Sequence, residues 1–251
     1  MKITFLGTGT STGVPEIGCP CEVCNSSDKR DNRLRTSVLV ELEGKRLLLD
    51  CGPDFRWQMI QHQTYHLDAV LISHEHYDHV GGLDDLRPFC REGEIPVYAE
   101  DYVAEAIQTR IPYVFRQHKY PGVPNLELHK ISTEPFTAAG VPVIPIRVMH
   151  GKLPILGYRI GNMAYLTDVK YLPEEEYAKL EGLEVLILTA LRQGTHPTHQ
   201  SLDEALDMIK RISPKESFLI HMSHRIGLHA EVEKCLPSHI HLSYDGLTVT
   251  L

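Results

Sequence analysis

Three imidazoles and one carboxylate fall within six residues, at His74, His76, Asp78 and His79. Neutral imidazole and carboxylate are the usual ligands of zinc, manganese and iron, so the stretch points to metal chemistry. The apolar run from Asp68 to Ser73 before it reads as a buried strand, and Val80-Gly81-Gly82 after it as a turn into a helix. If the chain is still extended at His74 and His76, their side chains share one side, because strand side chains alternate. Asp78 and His79 then fall on the turn and can face a second ion. A polar surface loop is the bland alternative, and the downstream sequence weighs against it.

Val143 to Met149 is an apolar stretch ending in His150, Met163 to Thr167 a strand ending in Asp168, and Phe218 to Ile220 a strand ending in His221. Any one of these residues alone is more often a satisfied polar group than a ligand. Four strands that each end in a metal-type residue reverse that expectation, because open α/β sheets present their sites at the carboxyl ends of strands. Asp50, closing the strand Lys45 to Leu49, is either a turn former before Gly52 or a carboxylate that orients a metal-binding histidine from behind. Cys19, Cys21 and Cys24 form a separate group. Three thiols this close suit one tetrahedral zinc, whose fourth ligand must come from elsewhere in the chain.

The elements that must position these residues alternate throughout. Lys2 to Leu6 reads as a strand, followed by the glycine-rich loop Gly7 to Gly13. Its glycine spacing excludes a dinucleotide fingerprint and its ending excludes a P-loop, leaving a plain connection or a hydroxyl- and amide-lined rim that touches substrate. Arg35 to Leu42 and Lys45 to Leu49 pair as a hairpin at Glu43-Gly44. Helices are predicted over Pro53 to His62, Leu83 to Phe89, Asp101 to Arg110 with Asp101 as N-cap, Pro173 to Leu180, Leu228 to Leu236, and from the Ser201 to Glu204 capping box to about Arg211. Ile95 to Ala99 and Glu184 to Ala190 read as strands. Pro112 to Pro124 is irregular and carries Arg116, His118, Lys119 and Tyr120; it is either a lid for an anionic substrate or an inert covering loop. Tyr244 to Leu247 reads as the turn of a last hairpin. With no long linker and no repeat, residues 1–251 read as one α/β domain.

A hydrophobic fraction of 42% and a charged fraction of 23% are those of a soluble globular protein. The formal charge of −8 argues against a nucleic-acid partner held through its phosphates. No apolar run approaches the length of a membrane span, and Met1 to Leu6 lacks the apolar region of a signal peptide, so the expectation is a cytoplasmic protein without a membrane partner. Six cysteines in that compartment suit metal ligands or free thiols better than disulfides.

His74-x-His76-x-Asp78-His79, followed in order by His150, Asp168 and His221, resembles the metallo-β-lactamase superfamily along essentially the whole chain. The resemblance implies an αββα sandwich with a two-metal site on one edge. His74, His76 and His150 would bind one ion, Asp78, His79 and His221 the other, and Asp168 would bridge them. The cysteine cluster and the loop from Thr8 to Pro15 resemble the phosphoribosyl 1,2-cyclic phosphate phosphodiesterase (PhnP) family. That implies a structural zinc in a loop at about residues 18–25, completed by His224, and a histidine that protonates the leaving group. His199, just ahead of the Ser201 cap, fits that role best; His196 is a competitor and otherwise a substrate contact. The expected reaction is hydrolysis of a small, cyclic or linear, phosphodiester. A hydroxide shared by two divalent cations would attack phosphorus at a centre in which Asp78 takes part, with a histidine as general acid. The nitrogen and oxygen ligands admit zinc, manganese or iron, whereas the thiolate site should select zinc. A homodimer is consistent with the family. Other chemistries on the same fold are a tRNase Z-type endonuclease, whose family carries a tRNA-clamping arm and lacks this cysteine cluster, and a thioester or lactam hydrolase. A non-catalytic metal-binding module is least favoured, because no ligand is missing.

Overall fold

The apolar runs pair into two sheets. The computed structural model describes the backbone of residues 1–251 and the side chains of all of them except Glu92. In chain order the strands are β1 (Lys2–Gly7), β2 (Ser37–Leu42), β3 (Lys45–Leu49), β4 (Ala69–Leu71), β5 (Ile95–Glu100), β6 (Leu126–Ile131), β7 (Phe136–Ala138), β8 (Val141–His150), β9 (Leu153–Ile160), β10 (Met163–Leu166), β11 (Val185–Thr189), β12 (Glu216–Ile220), β13 (Ile240–Leu242) and β14 (Thr248–Thr250). The first sheet runs β14-β1-β2-β3-β4-β5-β6 and the second β13-β12-β11-β10-β9-β8-β7. Each sheet starts antiparallel and finishes as a parallel ladder, β3 to β6 in one and β10 to β13 in the other. Parallel neighbours need crossovers. These carry α1 (Phe55–Gln61), α2 (Tyr77–Val80), α3 (Asp101–Arg110), α4 (Leu202–Ile212) and α5 (His229–Glu233). Among the described residues no helix is long and apolar enough to cross a membrane.

Strands covered on both faces explain why the apolar runs are nearly continuous. In β3, Leu47 and Leu49 point between the sheets, where they join Phe5, Val38, Tyr158 and Tyr165, while Leu48 points outward with Phe55, Met59 and Val103 beneath α1 and α3. On the other outer face Leu202, Ala205 and Ile209 of α4 pack on Leu186, Leu188 and Leu219. The result is the αββα sandwich. α4 opens with the expected capping box: Glu204 N donates to Ser201 Oγ at 3.3 Å, and Ser201 N donates to Glu204 Oε2 at 2.8 Å.

Several local expectations are corrected. Tyr244 to Leu247 does turn, with Leu247 N donating to Tyr244 O at 3.0 Å, but the strands it joins belong to different sheets. β13 lies beside β12 and β14 beside β1, because Asp245 is drawn away by Thr8 Oγ1 at 2.8 Å and Leu34 N at 2.6 Å. The turn after the histidine motif begins earlier than expected, so Asp78 and His79 stand on α2 itself. Leu83–Glu92, which contains Pro88, and Glu174–Leu180 are 3-10 turns instead of α-helices. The cap position of α3 is Glu100 without a side-chain bond, and Asp101 pairs instead with Lys130. The strands β6, β7 and β9 had no assignment from sequence.

The turn Asp50-Cys51-Gly52 after β3 is laced to α2. Cys51 N donates to His79 O at 2.8 Å and Gly82 N donates to Cys51 O at 2.9 Å. A Cβ on Gly52 would stand 2.1 Å from the Asp78 carbonyl oxygen. Gly52→Ala should therefore push α2 away and cost about 1–3 kcal/mol, the usual range for overpacking. A lowered denaturant midpoint, with no change in slope, is the expected result.

Candidate metal centre

The carboxyl ends of strands from both sheets meet along one edge. His74 and His76 follow β4, Asp78 and His79 lie on α2, His150 ends β8, and Asp168 and His221 follow β10 and β12. Ligand atoms of His74, His76, His150 and Asp168 all lie within 4.8 Å of one another, and so do those of Asp78, His79 and His221. Asp168 stands between the groups: its Oδ2 is 3.8 Å from His74 Nε2, and its Oδ1 is 3.3 Å from both His79 Nε2 and His221 Nε2. Asp78 Oδ2 lies 3.2 Å from His79 Nε2 and 3.4 Å from His221 Nε2. Four ligands about 2.0–2.1 Å from a tetrahedral zinc stand about 3.3 Å apart. The spacings in this group have that size. His79 Nε2 is buried without a hydrogen bond despite its carboxylate neighbours, so its lone pair is aimed at the space they share. These residues fit a divalent cation.

The charges agree. Burial pushes the His79 imidazole down, but Asp78, Asp168 and Asp50 around it pull it well above its ordinary value. Burial pushes the carboxyls of Asp78 and Asp168 up, and the imidazoles of His79 and His221 outweigh it, holding both far below the usual range. In the metal-free chain a proton on His79 thus fills a place built for positive charge. His74 is pushed well below 6.5 by burial, with the His79 charge adding, so it rests in the neutral form that binds metals.

Each ring is aimed from behind. Asp50 Oδ2 accepts from His79 Nδ1 at 2.8 Å, from Ser73 Oγ at 2.9 Å and from Tyr165 OH at 2.7 Å, while its Oδ1 accepts from Ser73 N at 2.8 Å. Ser73 Oγ is 3.0 Å from His74 Nδ1, and His150 Nδ1 donates to Thr198 O at 2.9 Å, leaving Nε2 of both rings toward the centre. Asp168 N donates to Thr189 Oγ1 at 2.5 Å, and Thr167 Oγ1 donates to Asp168 Oδ1 at 2.6 Å. Asp50 holds the position the sequence suggested. Ser73, Tyr165, Thr167, Thr189 and Thr198 went unnoticed; the available signal was polar residues within or beside strands otherwise made of apolar residues.

His199 lies against the cluster. Its Nδ1 is 3.7 Å from Asp168 Oδ2 and lacks a hydrogen-bond partner, and its ring is 4.4 Å from that of His150 and stacks on His221 at 5.0 Å. Burial lowers its imidazole to about 3. His196 is one layer further out, 5.2 Å from His199 between ring centres, with Nδ1 3.3 Å from Thr198 Oγ1.

The second cluster joins residues 205 positions apart: Cys19 Sγ lies 3.1 Å and Cys21 Sγ 3.2 Å from His224 Nδ1. Cys24 completes a set whose ligand atoms are all within 4.8 Å. The Cys24 backbone N–H and then His224 bring the Cys21 thiol down to about 6, whereas burial pushes Cys24 up to about 11.

Two outcomes follow from this geometry. Asp50→Asn removes the charge that orients His79 and should weaken metal affinity about 10–100-fold, read by chelator competition. In the metal-free protein Cys21, ionised above about pH 6, should be alkylated by iodoacetamide at neutral pH well before Cys24, read by peptide mass mapping. Zinc should protect both.

Comparison with known proteins agrees with this fold. Residues 45–222 match the model of the beta-lactamase superfamily domain. An octanoyltransferase of Porphyromonas gingivalis is 51% identical over 250 residues, which are 98% of this chain and 51% of that protein, so the chain spans about half the relative's length. A solved diphosphatase from the PhnP family superposes with a TM-score of 0.93 at 40% identity, over 99% of this chain and 96% of that one. Zn(2+)-bound PqqB from Methylobacterium extorquens shares the fold, with a TM-score of 0.80 at 20% identity and full coverage of both chains. The chain belongs to the metallo-β-lactamase superfamily of hydrolase folds and, within it, to the PhnP family.

Proposed function

We propose that the chain is a phosphodiesterase that hydrolyses a small phosphodiester at the edge where both sheets end, with His199 as general acid. The observation that carries the reading is His199 itself: a half-buried imidazole beside the seven residues, with Nδ1 3.7 Å from the carboxylate that stands between their two groups and within 4.8 Å of ligand atoms of Asp168 and His221. Two divalent cations, zinc or manganese, held by His74, His76, His150, Asp168, Asp78, His79 and His221, would lower the pKa of a water toward neutrality and neutralise charge on the phosphoryl oxygens. Cys19, Cys21, Cys24 and His224 would hold a structural zinc.

The chain's own residues handle the proton. Burial keeps the free His199 imidazole neutral, at about 3. An anionic phosphoryl group brought against it acts the other way and favours the imidazolium. The proton then passes to the departing oxygen, while Asp168, kept ionised by the imidazoles around it, faces the ring's Nδ1 at 3.7 Å. His196, one layer out, is placed to touch the rest of the substrate. A phosphoanhydride is the second reading, because the 40% identical relative is a diphosphatase. Octanoyl transfer is not carried over from the Porphyromonas protein, since half of that chain lies outside the match.

Loaded with zinc or manganese, the protein should hydrolyse bis(p-nitrophenyl) phosphate. His199→Ala should cost about 10²–10⁴-fold on a diester with an alkoxide leaving group, the usual contribution of a positioned acid. The loss should be far smaller with p-nitrophenolate, which needs no proton. Turnover of a nucleoside diphosphate sugar but of neither diester would select the anhydride reading, and no turnover of any of them would remove both.

A further inference from the structure

The loop from Glu16 to Cys24 stands on the surface. Ile17 is fully exposed, and a Cβ on Gly18 would meet nothing within 4 Å. Cys19, Cys21, Cys24 and His224 are only half-buried, so a small solute reaches them. Cys51 by contrast is buried, and among the described residues neither it nor Cys90 nor Cys235 stands in a cluster of metal-type side chains. Cys21 and Cys24 share one turn, in which Asn25 N donates to Cys21 O at 3.1 Å. Backbone donors fix both sulfurs on it: Cys24 N donates to Cys21 Sγ and Glu16 N to Cys24 Sγ, each at 3.4 Å. A turn keeps Cα atoms three residues apart within about 7 Å, the reach of a disulfide, and the two Sγ atoms already lie within 4.8 Å. Cys19 is held otherwise. The proline after it favours an extended backbone, and its Sγ faces His224 Nδ1 at 3.1 Å. Two residues between cysteines is also the spacing of thiol–disulfide pairs, in which the thiolate that binds metals is the nucleophile as well.

We propose that Cys21 and Cys24 are a redox pair: a peroxide joins them as a disulfide and thereby releases the ion that the cluster holds. One thiolate attacks a peroxide oxygen, the O–O bond breaks, and the departing oxygen leaves as water. The second thiolate attacks the sulfenic acid so formed, whose oxygen leaves as a second water. In sum two thiolates, one hydrogen peroxide and two protons give one disulfide and two waters. Cys19 and His224 are then left, two ligands where a tetrahedral ion needs four. The inference goes beyond phosphodiester hydrolysis and rests only on the zinc reading of the cysteine cluster. Oxidation is felt at the centre because of where His224 lies. It is three residues from His221, and Met222 between them docks the glycine-rich loop through Thr8 and Thr10. Ser223 N donates to Leu191 O at 2.9 Å, which ties in the segment after β11. The seven ligands of the centre include no sulfur, so the cysteine cluster is the part that peroxide changes first.

Zinc-saturated protein, freed of excess ion, is treated with hydrogen peroxide in the presence of the zinc dye pyridylazoresorcinol. One zinc per chain should appear above the untreated baseline, in step with the loss of two thiols, and peptide mass mapping should find Cys21 joined to Cys24. Hydrolysis of bis(p-nitrophenyl) phosphate should fall with the release and return after a phosphine reductant and zinc. Cys235→Ser, which removes the exposed thiol outside the cluster, should leave the release unchanged. Zinc that p-hydroxymercuribenzoate displaces but peroxide does not would overturn the redox pair and keep the zinc reading. No zinc displaced by the mercurial would remove both. A disulfide to Cys19, or sulfinic acid on Cys21 without a disulfide, would also overturn the pair. Zinc release with the Cys21–Cys24 disulfide, in a protein that hydrolyses no ester, would leave the pair in place and remove the phosphodiesterase reading.

Discussion

One buried carboxylate holds the centre together. Asp50 sits at the end of β3 with no exposed surface and a φ of 61°. Its two oxygens take four hydrogen bonds, two from Ser73, one from His79 and one from Tyr165. Ser73 and His79 belong to the first sheet and its crossover; Tyr165 comes from the second. A single anion therefore fixes two imidazoles, His79 directly and His74 through Ser73, and does so across the interface between the sheets. Removing a buried charged partner leaves several donors unmatched at once, at about 1–3 kcal/mol each. The layered core supplies the rigidity that makes this bonding geometry possible, and the carboxylate transmits it to the rings.

The same edge concentrates backbone strain. Asp50, Asp168 and His221 have φ of 61°, 57° and 57°, a left-handed conformation that non-glycine residues seldom adopt. Such residues cost of order 1–3 kcal/mol each and persist where their surroundings over-determine them. Here each follows a strand whose ladder is complete, and each must turn its side chain back over the strand end instead of along the strand. Repulsion between carboxylates adds to the cost. A cation bound there would offset both, since it would neutralise Asp78 and Asp168 and tie together groups the backbone has already forced close.

The sequence was most legible where chemistry and periodicity coincide. His74, His150, Asp168 and His221 could be grouped because each follows an apolar run, with His76, Asp78 and His79 crowded directly after His74, and runs that bury both faces are hard to confuse with loops. α4 was legible from its capping box, a local signal with a local cause. What escaped depends on distance. β6, β7 and β9 mix polar and apolar residues and acquire their identity only from neighbours across the sheet. The turn at Tyr244 to Leu247 has the local chemistry of a hairpin, yet Asp245 is captured by Thr8 and Leu34 from the other end of the chain. Ser73 and Tyr165 have roles only once Asp50 lies between them. His199 ranks ahead of His196 only through the family resemblance, by its position before the Ser201 cap; spacing alone does not say which ring the loop brings to Asp168.

The segment from His221 to His224 couples what look like separate features. His221 belongs to the metal-type cluster at the edge and His224 to the cysteine cluster. Met222, buried between them, donates from N to Thr8 O at 3.0 Å and accepts from Thr10 N at 3.0 Å, which docks the glycine-rich loop on the same four residues. A zinc at the cysteine cluster would cross-link residues 205 positions apart. Closing so long a loop removes much of the unfolded chain's freedom, although each doubling of length adds only about 0.6 kcal/mol. That energy is delivered at the mouth of the site, where the loop, Arg192, Arg225 and His224 form one wall. A cation there would do more than fasten an N-terminal loop. It would fix the glycine-rich loop, Arg192 and Arg225 relative to His221 and the metal-type cluster.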